Sequence, residues 1–115
     1  MQILEQSLTV EELRKIAADI FGEMVKAVVD VALGLVAINA EMHSDLEALL
    51  LDNGSAQVDL WGINFYPFLE GDDFLEFDSM INMRPSQGNM SRGVEDAETR
   101  ERIVELVDKW IIRTG

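Results

Sequence analysis

Arg84, Ser86, Asn89, Ser91 and Arg92 fall within nine residues, in the run Asn82-Met83-Arg84-Pro85-Ser86-Gln87-Gly88-Asn89-Met90-Ser91-Arg92-Gly93. Guanidinium groups present forked donors suited to carboxylate or phosphate, and hydroxyls and amides add single hydrogen bonds. Gly88 and Gly93 let backbone amides approach a ligand closely. The segment is therefore a candidate binding loop for a small anion. Charge also sets it apart: no Lys or Arg occurs from Ala27 to Met83, whereas eleven Asp and Glu do. The competing interpretation is that both arginines neutralise nearby carboxylates and the polar side chains satisfy the loop's own backbone. The loop is not a P-loop, because it lacks the Gly-Lys-Ser/Thr ending.

His43 is the single histidine, within Glu41-Met42-His43-Ser44-Asp45-Leu46-Glu47. With Asp78 or Glu76 to orient it, the imidazole could act as a general base. With carboxylates it could hold manganese, iron or magnesium, although no metal-ligand motif accompanies it and no metal is assigned. The alternative is a surface histidine preceding a capped helix. Ser79, Ser86 and Ser91 lack the nucleophile-elbow pattern of a serine hydrolase. The acidic pairs Asp72-Asp73 and Glu76/Asp78 read as a solvated face, since a chain this short leaves little room for a sugar cleft.

The elements that must position these residues are legible in outline. Thr9-Val10-Glu11-Glu12 is a capping box, with Leu8 and Leu13 as its hydrophobic staple, and Leu13, Ile16, Ala17, Ile20 and Phe21 form one helical stripe ending at Gly22. Val25, Ala27, Val29 and Val31 alternate with Lys26, Val28 and Asp30; with Leu35 to Ile38 they predict a β-hairpin through Ala32-Leu33-Gly34. Ser44-Asp45-Leu46-Glu47 is a second capping box opening a helix through Leu51, against a rival hairpin around Asn53-Gly54. Trp61, Ile63 and Phe65 alternate toward Pro67, and after an acidic turn Leu75, Phe77, Ile81 and Met83 predict another strand. Asp96 caps a last helix with the stripe Ile103, Leu106, Val107, Trp110 and Ile111.

The predicted order is α-β-β-(α)-β-β-α: an α+β fold whose antiparallel sheet of about four strands packs one face on the N- and C-terminal helices. Its more open face would carry Lys26, Val28, Asp30, Glu76, Asp78, Met80 and Asn82, as a solvated surface, a dimer surface or a ligand platform. Trp61, Phe65, Phe77 and Trp110 belong to the core, whereas Tyr66, Phe68 and Phe74 flank the acidic turn as an apolar rim.

Residues 1–115 are expected to form a single domain. The formal net charge of −13 disfavours nucleic acid and anionic membrane as partners. The absence of cysteine excludes disulfides and thiol nucleophiles. No signal peptide or bilayer-length apolar run is visible, so a cytoplasmic location is expected.

Phe21-Gly22-Glu23-Met24-Val25-Lys26-Ala27-Val28-Val29-Asp30, Leu60-Trp61-Gly62-Ile63-Asn64 with Tyr66-Pro67, Asp78-Ser79-Met80-Ile81-Asn82, Arg84-Pro85-Ser86-Gln87-Gly88-Asn89 and Ser91-Arg92-Gly93-Val94-Glu95-Asp96 together resemble a family of small prokaryotic proteins catalogued as a domain of unknown function. The resemblance spans almost the whole chain and implies no activity, cofactor or partner. The sequence reading is a non-catalytic binding or interaction module, recognising a small anion or a protein partner through the Arg84–Arg92 loop, with a homodimer as a further expected partner. The alternative is a small metal-assisted or acid–base enzyme using His43 with Asp78 or Glu76 on an anionic substrate.

Overall fold

The computed structural model describes residues 1–113. A short strand β1 (Gln2–Ile3) leads to β2 (Leu8–Thr9) and helix α1 (Val10–Ile20). The capping box forms as predicted: Glu12 N donates to Thr9 Oγ1 and Thr9 N donates to Glu12 Oε1, each at 3.2 Å. Gly22, at φ +87°, turns the chain into β3 (Val25–Asp30). The hairpin with β4 (Leu35–Ile38) pairs Asp30 with Leu35 and Ala27 with Ile38. Asp30 fixes its turn by accepting from Ala32 N and Leu33 N at 2.9 and 2.8 Å.

Helix α2 (His43–Asp52) precedes β5 (Leu60–Phe65), β6 (Leu75–Glu76), α3 (Ala97–Trp110) and β7 (Ile111–Ile112). The main sheet has five strands in the order β1-β4-β3-β5-β6, every neighbouring pair antiparallel. A separate parallel pair, β2 with β7, ties the start of α1 to the end of α3. The α+β class is thus as predicted, with β1 and the β2–β7 pair additional to the expected strands.

One face of the sheet buries Val25, Ala27, Val29, Val36, Ile38, Trp61, Ile63 and Phe65 against Leu13 and Ala17 of α1 and Ile103, Leu106 and Val107 of α3. The opposite face is less open than expected. There α2 lays Leu46 and Leu50 onto Val28, Ala37 and Leu60, and truncating either leucine to alanine would cost about 2–5 kcal/mol. Asp30, predicted for the more open face, is buried, and Ser55, just beyond α2, donates its hydroxyl to Asp30 Oδ2 at 2.6 Å. Phe74, predicted for the apolar rim, is also buried, with its ring 5.6 Å from that of Phe65.

Two local expectations need correction. Helix α2 starts at His43, not after Ser44, and its N-cap Met42 makes no side-chain hydrogen bond. Ser44 therefore lies inside the first turn, and the anchor at the helix start is tertiary: His43 Nε2 bonds to Ile63 O at 2.9 Å. The strand expected to run on to Met83 stops at Glu76; residues Met80–Asn82 form a single 3-10 turn. β6 covers only Asn64 and Phe65 of β5. Beyond that point side chains complete the edge. Gly62 N donates to Asn82 Oδ1 at 2.8 Å, Asn82 Nδ2 donates to Gly62 O at 2.9 Å, and Arg84 donates from its guanidinium to Leu60 O. An unpaired strand edge is thereby closed without another strand.

Replacing Asn82 with Ala strands two buried backbone groups of Gly62, so urea unfolding should show a loss of about 2–4 kcal/mol. A loss under about 1 kcal/mol would mean that water serves that edge equally well.

Candidate functional site

The predicted loop is largely self-satisfied. Arg84 is only 7% exposed. It donates to the carbonyls of Ile81 at 2.9 Å and Gln57 at 3.0 Å, and its guanidinium lies 4.5 Å from the Trp61 ring centre. Burial lowers its pKa, and the charge of Glu47 opposes that shift. Asn89 is buried too; its Nδ2 donates to Asn82 O at 2.7 Å, Gly93 O at 2.8 Å and Ser91 O at 3.1 Å, while Oδ1 accepts from Glu95 N at 2.9 Å. Glu95 closes the loop from outside by accepting from Met90 N and Ser91 N. Ser91 Oγ accepts from Gly93 N at 3.2 Å, and Ser86 is exposed. Arg84 and Arg92 do not line one hollow. Arg92 alone reaches a cavity, where its Nε pairs with Asp78 Oδ1 at 2.7 Å.

That cavity, of about 310 Å³, lies on the α2 face of the sheet, where the chain leaves β6. Its floor follows from register. Lys26 in β3 pairs with Asn64 in β5, which pairs with Glu76 in β6, so a cation, an amide and a carboxylate stand in one row across three strands. Met42, His43 and Ser44 at the start of α2 line it, as do Ser79, Met80 and Ile81 of the departing segment, with Met24 and Tyr66 beyond the row. The close approach of these walls requires Gly62: a Cβ there would lie 2.4 Å from Ser79 Cβ and 3.2 Å from His43 Cδ2. A more open depression of about 450 Å³ beside Leu69 and Phe77 carries Asp72, Asp73 and Glu76 but no basic side chain.

The row is held by a shared acceptor. Asn64 Nδ2 donates to Glu76 Oε1 at 2.8 Å and to Asp78 O at 3.2 Å, and the Tyr66 hydroxyl donates to the same Glu76 oxygen at 3.0 Å. Burial, together with that carboxylate, pushes the Tyr66 phenol up, so it stays a donor at neutral pH. Burial holds the His43 imidazole below its ordinary value, an effect that the hydrogen bond to Ile63 O partly offsets and the charge of Lys26 reinforces. Because Ile63 O can only accept, Nε2 carries the proton of the neutral ring.

The sequence therefore pointed to His43, Glu76, Asp78 and Arg92, which the fold brings to one cavity, and to Arg84, Ser86, Asn89 and Ser91, which lie outside it. Among the described residues His43 is hydrogen-bonded to neither Glu76 nor Asp78, and no three His, Asp or Glu side chains form a metal-holding group. Lys26 and Asn64 were missed as site residues. Lys26 was placed on the correct face, but only strand register shows that Asn64 stands beside it.

The His43 shift makes a signed prediction. Below 6.5 the unfolded chain takes up a proton that the native imidazole refuses until its own lower pKa, so stability is lost as pH falls through that window. Thermal melts at about pH 7.5 and 5.5 should show a larger drop for the wild type than for His43→Gln. Equal drops would mean that His43 titrates alike in both states.

No curated protein and no solved structure shows significant similarity to the chain. Residues 2–110 match the family described as protein of unknown function (DUF5674), in accord with the resemblance read from the sequence. With nearly its whole length matched, the chain belongs to that family.

Proposed function

We propose that the protein is a non-catalytic binding module that holds a small organic anion over the Lys26–Asn64–Glu76 row. The observation that carries this reading is Lys26. In a chain of net charge −13, Lys26 lines a cavity yet makes no ion pair among the described residues, the recorded contact of its ammonium being the Phe21 ring, 5.3 Å from Nζ. The first turn of α2 supports it. Met42, His43 and Ser44 line the same space and no side chain caps that helix, which leaves its positive end available to an anion. Arg92 adds a second cation, tempered by Asp78.

A binding role fits better than acid–base chemistry. The carboxylates beside His43 are engaged elsewhere, Asp78 by Arg92 and Glu76 by Asn64 and Tyr66, so no proton relay runs through the ring. The size suits a small ligand: about 310 Å³ is near the small end of the roughly 300–1,000 Å³ typical of ligand sites.

Calorimetric titration with short branched carboxylates should detect binding to the wild type. Lys26→Met, checked for an unchanged melting temperature, should weaken it about tenfold or more, the scale of one charge-assisted hydrogen bond. Unaltered affinity in Lys26→Met, or no uptake of any carboxylate by the wild type, would contradict the proposal.

A further inference from the structure

We infer that the ligand is a zwitterion, an α-amino acid with an apolar side chain; this rests on the anion reading above and names its ligand class. Lys26 and Glu76 stand at opposite ends of the row, two strand spacings or about 10 Å apart at the backbone. A bare anion held by Lys26 would be repelled by the Glu76 carboxylate across the same floor. The floor between them offers acceptors. Asn64 is 4% exposed, both contacts of its Nδ2 are to acceptors, and its Oδ1 is buried with no hydrogen-bond partner. Both donors that reach Glu76 fall on Oε1, which leaves Oε2 without a protein donor. A floor short of donors favours a ligand that brings an N–H group of its own.

An α-amino acid answers both ends. Its carboxylate takes Lys26 and the first-turn amides of α2, and its ammonium takes Glu76 Oε2, the oxygen that no protein donor reaches. The apolar part of the lining is adaptable: Met24, Met42, Met80 and Ile81, with Met42 and Met80 57% and 63% exposed. Unbranched thioethers accommodate side chains of varied shape, so aliphatic and thioether amino acids are the expected class.

The test compares L-leucine with its two halves, 4-methylpentanoate (no amino group) and 3-methylbutylamine (no carboxylate), by calorimetry on the full chain. The wild type should bind L-leucine at least about tenfold more tightly than either half. Glu76→Gln, which keeps the acceptor for Asn64 and Tyr66, should lose about tenfold toward L-leucine and, with the repulsion removed, bind 4-methylpentanoate more tightly than the wild type does. If 4-methylpentanoate binds the wild type as tightly as L-leucine does, the zwitterion inference is overturned while the anion reading stands. If 3-methylbutylamine matches L-leucine and 4-methylpentanoate does not bind, both fall. Absence of any binding by L-leucine and 4-methylpentanoate overturns both as well.

Discussion

The outer edge of β5 is the constraint from which the rest of this architecture follows. Its Asn64 and Phe65 find a partner strand, but Gly62 and Leu60 do not, because the chain turns away after Glu76. Backbone groups left without partners inside a protein cost about 1–3 kcal/mol each, and here two side chains supply what a strand would have given. Asn82 presents its amide to Gly62 as a peptide group would, and Arg84 caps Leu60 while resting on Trp61. The segment released from the sheet then becomes a wall of the cavity. Closing an edge with side chains and opening a hollow beside it are thus one structural event.

His43 and Gly62 set how closely that hollow is walled. The imidazole anchors the start of α2 to Ile63 O, and the missing Cβ at Gly62 admits Ser79 against the strand. The helix can therefore begin without a side-chain cap, its first turn lining the cavity. The N-terminal end of α1 shows the contrast: Thr9 and Glu12 satisfy it locally, and nothing about it invites a ligand.

Much of the fold was legible because local chemistry and global packing agree. The capping box of α1, the valine alternation of β3, the Asp96 cap of α3 and the helical character of Ala48 to Leu51 all stand as read. Reading failed where a tertiary partner outbid a local pattern. Leu75, Phe77, Ile81 and Met83 alternate like a strand, yet Ser79 starts a 3-10 turn by accepting from Ile81 N, and Asn82 is drawn into the edge of β5. The ambiguity of the Arg84–Arg92 loop has a related source. Arg, Asn and Ser side chains that suit an anion suit backbone carbonyls and amides equally, and Arg84 and Asn89 are used that way. The Lys26–Asn64–Glu76 row could not be read from the chain, since it exists only once two strand registers are fixed.

The proposed binding surface is the cavity over this row and not the Arg84–Arg92 loop. The most direct measurement is an amide ¹H–¹⁵N correlation spectrum followed while L-leucine is added. Shifts should concentrate at Lys26, His43, Ser44, Asn64 and Glu76 and leave Ser86 to Gly88 in place. Changes confined to residues 84–92, or a spectrum that does not move, would contradict it.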